Sequence, residues 1–196
     1  MNHPSLQSAR NLALFALISI SLVSLIYLSM QQRIERQTTN ATLAQFRALA
    51  PNHPINAELL DSAQPLTLGK HNVIHYPASA NRPIDFFQAT TSKGYSGNIT
   101  LLIAISADKQ TLLGARTLSH SETPGLGDKI DTNISPWILN FNQLNIAQTH
   151  FAVDKDGGEF DSFTGATITP RAVTTLIGTI AHNWQTHTEP SHDPQP

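Results

Sequence analysis

The hydrophobic pattern opens with its longest feature: Leu12 to Met30 (LALFALISISLVSLIYLSM) contains no charged residue. At about 1.5 Å per residue such a helix reaches roughly 28 Å, enough for a bilayer core of about 30 Å. Ser19, Ser21, Ser24 and Ser29 are compatible with it, because a serine hydroxyl can bond back to its own helix. A cleaved signal peptide is the competing reading, but Tyr27-Leu28-Ser29-Met30-Gln31-Gln32 is a poor cleavage site. The pattern therefore predicts an uncleaved transmembrane anchor. From Gln31 to about Ala50, spaced apolar residues (Ile34, Leu43, Phe46, Leu49) predict a helix leading away from it, and Pro51 and Pro54 end that helix. Residues 55–92 are mixed and punctuated by Pro65, Pro77 and Pro83.

From Lys93 the periodicity sharpens. Gly94-Tyr95-Ser96-Gly97 reads as a turn, and Ile99 to Ala107 (ITLLIAISA) as a strand of β-rich apolar residues. Asp108-Lys109-Gln110 makes a tight connection to a second strand over Leu112–Leu118, so the pair reads as a hairpin. His120 to Asp131 is a Gly/Pro loop, and Ser135-Pro136 starts a short helix with Trp137, Ile138 and Phe141 as its apolar contacts. Pro170 to about Thr186 is an amphipathic helix, with Val173, Leu176, Ile177, Ile180, Ala181 and Trp184 on one stripe. Thr169 reads as its N-cap and Pro170 as its first residue. The last ten residues read as a disordered tail.

These elements divide the chain into an N-terminal flank (1–11), a transmembrane helix (12–30), a linker helix (31–54), one domain (55–186) and the tail (187–196). The fold class expected is α+β: a small antiparallel sheet with packed helices behind a single membrane span. Composition adds exclusions. Of 196 residues 13% are charged, against about a quarter in a typical soluble protein. With a net charge of −2 and no Lys/Arg run, no nucleic-acid partner is expected. There is no cysteine, which excludes disulfides, iron–sulfur clusters and thiol nucleophiles. Redox chemistry would rest on an organic cofactor or on a metal held by His and carboxylates. Arg10 precedes the span and Arg33 and Arg36 follow it, so charge alone leaves the topology undecided.

The segment with the most chemistry is Asp161-Ser162-Phe163-Thr164-Gly165-Ala166-Thr167-Ile168-Thr169-Pro170. Hydroxyls and small residues stand just before a helix N-terminus, where unpaired N–H groups and the positive end of the dipole favour a phosphate. On physics alone the segment is either a phosphate site or an ordinary turn and cap.

Its Asp161-x-x-Thr164-Gly165-Ala166-Thr167 pattern resembles the flavinylation motif of the FMN-binding domain family. The resemblance implies a phosphodiester between FMN and the Thr167 hydroxyl, installed from FAD by a separate Mg²⁺-dependent flavin transferase, with Thr169 as the competing hydroxyl. Two further segments are similar to the family. Gly94-Tyr95-x-Gly97-x-Ile99 resembles its entry strand, and His120-Ser121-Glu122-Thr123-Pro124-Gly125-Leu126-Gly127 resembles its H-x-E-T-P-G-L-G loop. By that likeness Tyr95, His120, Glu122, Thr123, Gly125 and Leu126 lie near the flavin ring or its ribityl chain.

Within the family the chain is most similar to G subunits of Rnf-type (Rsx) ion-translocating complexes, through Lys155-Asp156-Gly157-Gly158 and Phe163 to Val173. C subunits of sodium-pumping NADH:quinone oxidoreductases are the alternative, as is a membrane-anchored flavin-binding module without turnover. The likeness implies a redox-carrier subunit with covalent FMN and no complete active site of its own, in a bacterial inner membrane with its domain in the periplasm. Partners would be other membrane subunits of the complex. No G-x-G-x-x-G fingerprint for a dinucleotide is present. His71 and His75, four apart, and the acidic cluster Asp154, Asp156, Glu159 and Asp161 read as ordinary strand and solvated loop, so no metal site is expected.

Overall fold

The computed structural model describes residues 4–188, and the side chains of all of these except residues 4–6 and 32–36. The tail expected over 187–196 lies, beyond Thr188, outside the described residues. The chain divides into two compact units, Met1–Thr42 and Leu43–Pro196. The first is helical throughout its described part, which belongs to α1 (Pro4–Leu49), a helix that runs on without a break. Within it Gln7–Gln31 is long and apolar enough to cross a membrane, with a mean hydropathy of 2.4. Ser29 Oγ donates to the Ile26 carbonyl at 2.8 Å, satisfying its hydroxyl inside the helix.

The second unit is built on a six-stranded antiparallel sheet in simple meander order, β1-β2-β3-β4-β5-β6. The strands are β1 (Gln64–Leu68), β2 (His71–Tyr76), β3 (Ile84–Thr91), β4 (Ile99–Ser106), β5 (Thr111–His120) and β6 (Leu144–Asn145). Both faces of the sheet are covered, which explains why ITLLIAIS reads as continuously apolar rather than alternating. Successive residues of β4 enter different cores: Leu101, Ile103 and Ile105 join one cluster, Leu102 and Ala104 the other. The first cluster packs beneath α3 (Ile168–Thr186), whose stripe Val173, Leu176, Ile177, Ile180, Ala181 and Trp184 is buried in it as the periodicity predicts. The second lies under the C-terminal turns of α1 (Leu43, Phe46, Leu49) and the short α2 (Glu58–Asp61).

The hairpin over β4 and β5 is found where expected. Its turn places Lys109 at φ 61° and lets Asp108 Oδ1 accept the Gln110 N–H at 3.0 Å. Ten residues of β5 face eight of β4. The register accommodates the difference with irregularities opposite Thr100/Leu101 and Ala104/Ile105, where Leu118 and Leu113 are left without a partner. Both lean instead on the second core.

The proline-rich stretch supplies β1, β2 and β3. β1 stands at one edge of the sheet, with Pro65 opposite Ile74. His75 is not presented to a metal. It stacks on Phe87 at 4.8 Å and lies 2.8 Å from Asp85, in a buried pair. The short helix expected at Ser135-Pro136 is a 3-10 segment, Pro136–Phe141, and the Ser135 hydroxyl accepts the Trp137 N–H. One reading is corrected. α3 begins at Ile168, so Pro170 is its third residue and Thr167, not Thr169, occupies the N-cap position.

Candidate functional site

Three loops converge at the N-terminus of α3 around a cavity of about 140 Å³. Its walls are Tyr95, from the turn before β4; Glu122, Thr123, Leu126 and Gly127, from the loop after β5; and Gly165, Ala166, Thr167, Ile168 and Thr169. Eight residues expected from sequence are thereby brought together: Tyr95, Glu122, Thr123, Leu126, Gly165, Ala166, Thr167 and Thr169. Asp161, Thr164, His120 and Gly125 do not line it. The Asp161 carbonyl accepts the Trp137 Nε1–H at 2.8 Å, and His120 Nδ1 accepts the Glu122 N–H at 3.1 Å. Gly125, at φ 77°, turns the loop between Thr123 and Gly127.

Glu122 is the buried polar centre of the cavity, 5% exposed. The Ser96 N–H donates to its Oε1 at 3.0 Å and the Thr169 hydroxyl to its Oε2 at 2.5 Å. Thr169 is therefore a strut inside the first turn of α3, fully buried, and its hydroxyl is spent on the carboxylate rather than on capping. Two glycines make room for this carboxylate. A Cβ on Gly94 would stand 2.6 Å from Oε1, and one on Gly127 would stand 2.7 Å from Oε2. Gly127 is thus held small by Glu122 and Thr169, and Gly94 by Glu122 together with the Gly97 carbonyl, whereas Gly97 and Gly125 face open space.

Thr167 is placed differently. The Ala166 N–H donates to the Phe163 carbonyl at 3.0 Å, closing a turn whose third residue, Gly165, has φ 78°. The turn delivers Thr167 to the helix mouth, where its carbonyl accepts the Arg171 N–H at 3.2 Å. Its hydroxyl makes no capping bond and instead accepts from Lys155 Nζ at 3.0 Å. Lys155 was not legible as a site residue, since nothing local ties it to a hydroxyl twelve positions on.

The acidic cluster is a scaffold for that loop. Asp154 Oδ1 accepts the N–H groups of Lys155 (2.8 Å) and Ser162 (3.0 Å). Hydrogen bonding from Ser162, then from the Lys155 N–H, holds the Asp154 carboxyl below its ordinary value. Asp156 makes a two-pronged pair with Arg171 on α3, Oδ2 to Nε at 2.5 Å and Oδ1 to Nη2 at 2.8 Å. The Arg171 bonds lower the Asp156 carboxyl, and Asp156 raises the guanidinium in return. Among the described residues no group of three or more His, Asp or Glu is arranged to hold a metal ion.

A hydroxyl that caps nothing, a helix N-terminus, an ammonium group and small residues beside an open cavity are the chemistry that suits a phosphate-bearing ligand. The FMN-binding domain family matches residues 94–181, the stretch that contains all three converging loops. The chain is 41% identical to the G subunit of the ion-translocating oxidoreductase complex of Pseudoalteromonas atlantica, over 91% of this chain and 87% of that protein. It is 38% identical to the G subunit of the same complex from Vibrio cholerae, with 92% of each covered. The chain belongs to this family of G subunits, built on the FMN-binding domain. Its fold is also that of the C subunit of the Na⁺-translocating NADH-quinone reductase from Parabacteroides distasonis, with a TM-score of 0.52 at 17% identity over 81% of this chain and 98% of that one.

Proposed function

We propose that this chain is the electron-carrying flavin subunit of a membrane-bound, ion-translocating oxidoreductase complex, with FMN joined by a phosphodiester to the Thr167 hydroxyl. The observation that carries the covalent link is the state of that hydroxyl: it lines the cavity at the mouth of α3 yet caps nothing. A hydroxyl of Thr169, fully buried and bonded to Glu122, is a poor acceptor by comparison. The residues fit the group. One phosphodiester charge would sit at the positive end of a 19-residue helix beside Lys155. The cavity, about 140 Å³, is below the roughly 300 Å³ usual for pockets that enclose a small molecule. A flavin would therefore be held only in part, its remainder resting on the exposed Tyr95, Leu126 and Ile168.

Attachment requires a flavin transferase and FAD. Thr167 Oγ bonds to the phosphorus of the FMN half, the pyrophosphate P–O bond breaks, AMP leaves, and the hydroxyl proton passes to a base of the transferase. The bound flavin supplies reversible electron uptake. The chain fixes its phosphate and shapes its surroundings with Glu122 and the glycine loops. Electrons arrive from and leave to neighbouring subunits of the complex.

In this reading residues 12–30 span the inner membrane, and the flavin domain, whose core takes in Leu43, Phe46 and Leu49 from the end of α1 rather than starting at residue 55, faces the periplasm. Intact-mass measurement of protein co-expressed with the transferase tests the link: the adduct is about 438 Da, FMN less one water. A fluorescent band on a denaturing gel, absent from Thr167→Ala, supports it. A dark band from wild-type protein with active transferase refutes covalent attachment and favours a non-covalent flavin module. The absence of cysteine makes topology equally testable. A single Asn140→Cys probe should react with an impermeant maleimide from the periplasmic side, and labelling only after the inner membrane is opened would reverse the orientation.

A further inference from the structure

The Lys155-Asp156-Gly157-Gly158 segment stands beside the threonine-bearing loop and contacts it through one side chain. Lys155 and Asp156 sit in a 3-10 turn, Asp154–Asp156, on the surface. The segment is tied at several points to its surroundings, and its one long cation reaches a single hydroxyl. Asp154 pins the Lys155 N–H and, with the same oxygen, the Ser162 N–H of the threonine-bearing loop. Asp156 is clamped by both prongs of Arg171, four residues beyond Thr167 on α3. Gly157 leaves the turn at φ 81°. Gly158 passes so close to the Ala152 backbone that a Cβ would overlap its carbonyl group. Lys155 Nζ lies 3.0 Å from Thr167 Oγ1, a contact between an exposed and a half-buried side chain that contributes little to stability.

We infer that Lys155 is a positioning residue for the flavinylation of Thr167: its ammonium orients the hydroxyl for attack and then pairs with the phosphodiester formed. The inference rests on the proposed attachment of FMN at Thr167. By donating to one lone pair of Oγ1, Lys155 leaves the hydroxyl proton free for the base of the transferase. It also stabilises the negative charge that grows on Oγ1 as that proton departs. The Oγ–P bond forms as the bond to AMP breaks, and no electron changes hands. The product phosphodiester retains one negative charge within reach of the same ammonium, so the contact that prepares the acceptor also neutralises the product.

The test uses the full chain in detergent, purified without flavin, then incubated with purified flavin transferase, FAD and Mg²⁺ and sampled for intact mass over time. Wild type, Lys155→Ala, Lys155→Arg and Thr167→Ala are compared at a series of acceptor concentrations. Losing one charge-assisted hydrogen bond at an exposed site is expected to lower the saturating rate by about tenfold in Lys155→Ala. Lys155→Arg should recover most of that rate, and thermal unfolding of both variants should match wild type. Wild-type rates in Lys155→Ala overturn the inference. So does an effect confined to KM for the acceptor, which would make Lys155 a docking contact for the transferase, or a failure of arginine to restore the rate. A wild-type chain that gains no mass under conditions where a known acceptor is modified sinks the attachment at Thr167 itself, and the role of Lys155 with it.

Discussion

The Glu122–Thr169 hydrogen bond links the loop after β5 to the first turn of α3, and its strength can be measured. Thr169 is fully buried and Glu122 5% exposed, so the bond is largely shielded from bulk solvent. Thr169→Val keeps shape and branching but removes the donor at 2.5 Å, leaving the Ser96 N–H as the remaining donor to the carboxylate. A hydrogen bond to a charged group is worth about 1.5–3 kcal/mol, and a neutral one about 1. Thr169→Val should therefore cost about 2 kcal/mol in the native background and about 1 kcal/mol in Glu122→Gln, a coupling of about 1 kcal/mol. Urea unfolding followed by tryptophan fluorescence is suited to the measurement, since Trp137 and Trp184 both lie in the core beneath α3. At constant m-value the midpoint shift reports stability directly. A coupling below about 0.3 kcal/mol, within ordinary additivity, would show that the two side chains are neighbours without mutual support.

Three further outcomes follow from the same structure. Gly178→Ala should destabilise the domain by about 1–3 kcal/mol in urea, because a Cβ there would collide with Phe151 Cβ; a neutral or stabilising result would mean the helix gives way freely. Gly165→Ala has open space for its methyl but forces a left-handed backbone, so a loss of about 1–2 kcal/mol is expected, with no repacking visible by fluorescence. Both Asp154 and Asp156 are held below the ordinary carboxyl value of 3.8, so their support is complete above it and is lost as pH falls through the lowered values. Hydrogen exchange should accordingly find the Lys155 and Ser162 amides losing protection below about pH 4, ahead of α3. Simultaneous loss would place the loop's stability elsewhere.

What the sequence disclosed, and what it withheld, follows from how local each interaction is. β4, β5 and α3 were legible because burial on both sheet faces or on one helix stripe writes a continuous or 3.6-residue pattern into adjacent positions. β1, β2 and β3 were not, because Pro65, Pro77 and Pro83 interrupt segments whose hydrogen bonds come from neighbouring strands. The converging loops were found through motif likeness. One reason for Gly94 and Gly127, the room they leave for the Glu122 carboxylate, emerges only when residues 94, 122, 127 and 169 meet in space. Thr169 was misread as a cap because a threonine before a proline satisfies the local rule. Its true partner lies 47 residues away in the chain.

The sheet's margins bear on how this protein meets others. Pro65 removes one backbone donor from the outermost strand at one side, and the two-residue β6 ends the other. At the β1 margin a foreign segment would meet only a five-residue strand with a donor missing, so recruitment by strand addition is disfavoured there. Association at that margin would then rely on side-chain surfaces. Contacts of that kind can form and part without remodelling the backbone of the sheet.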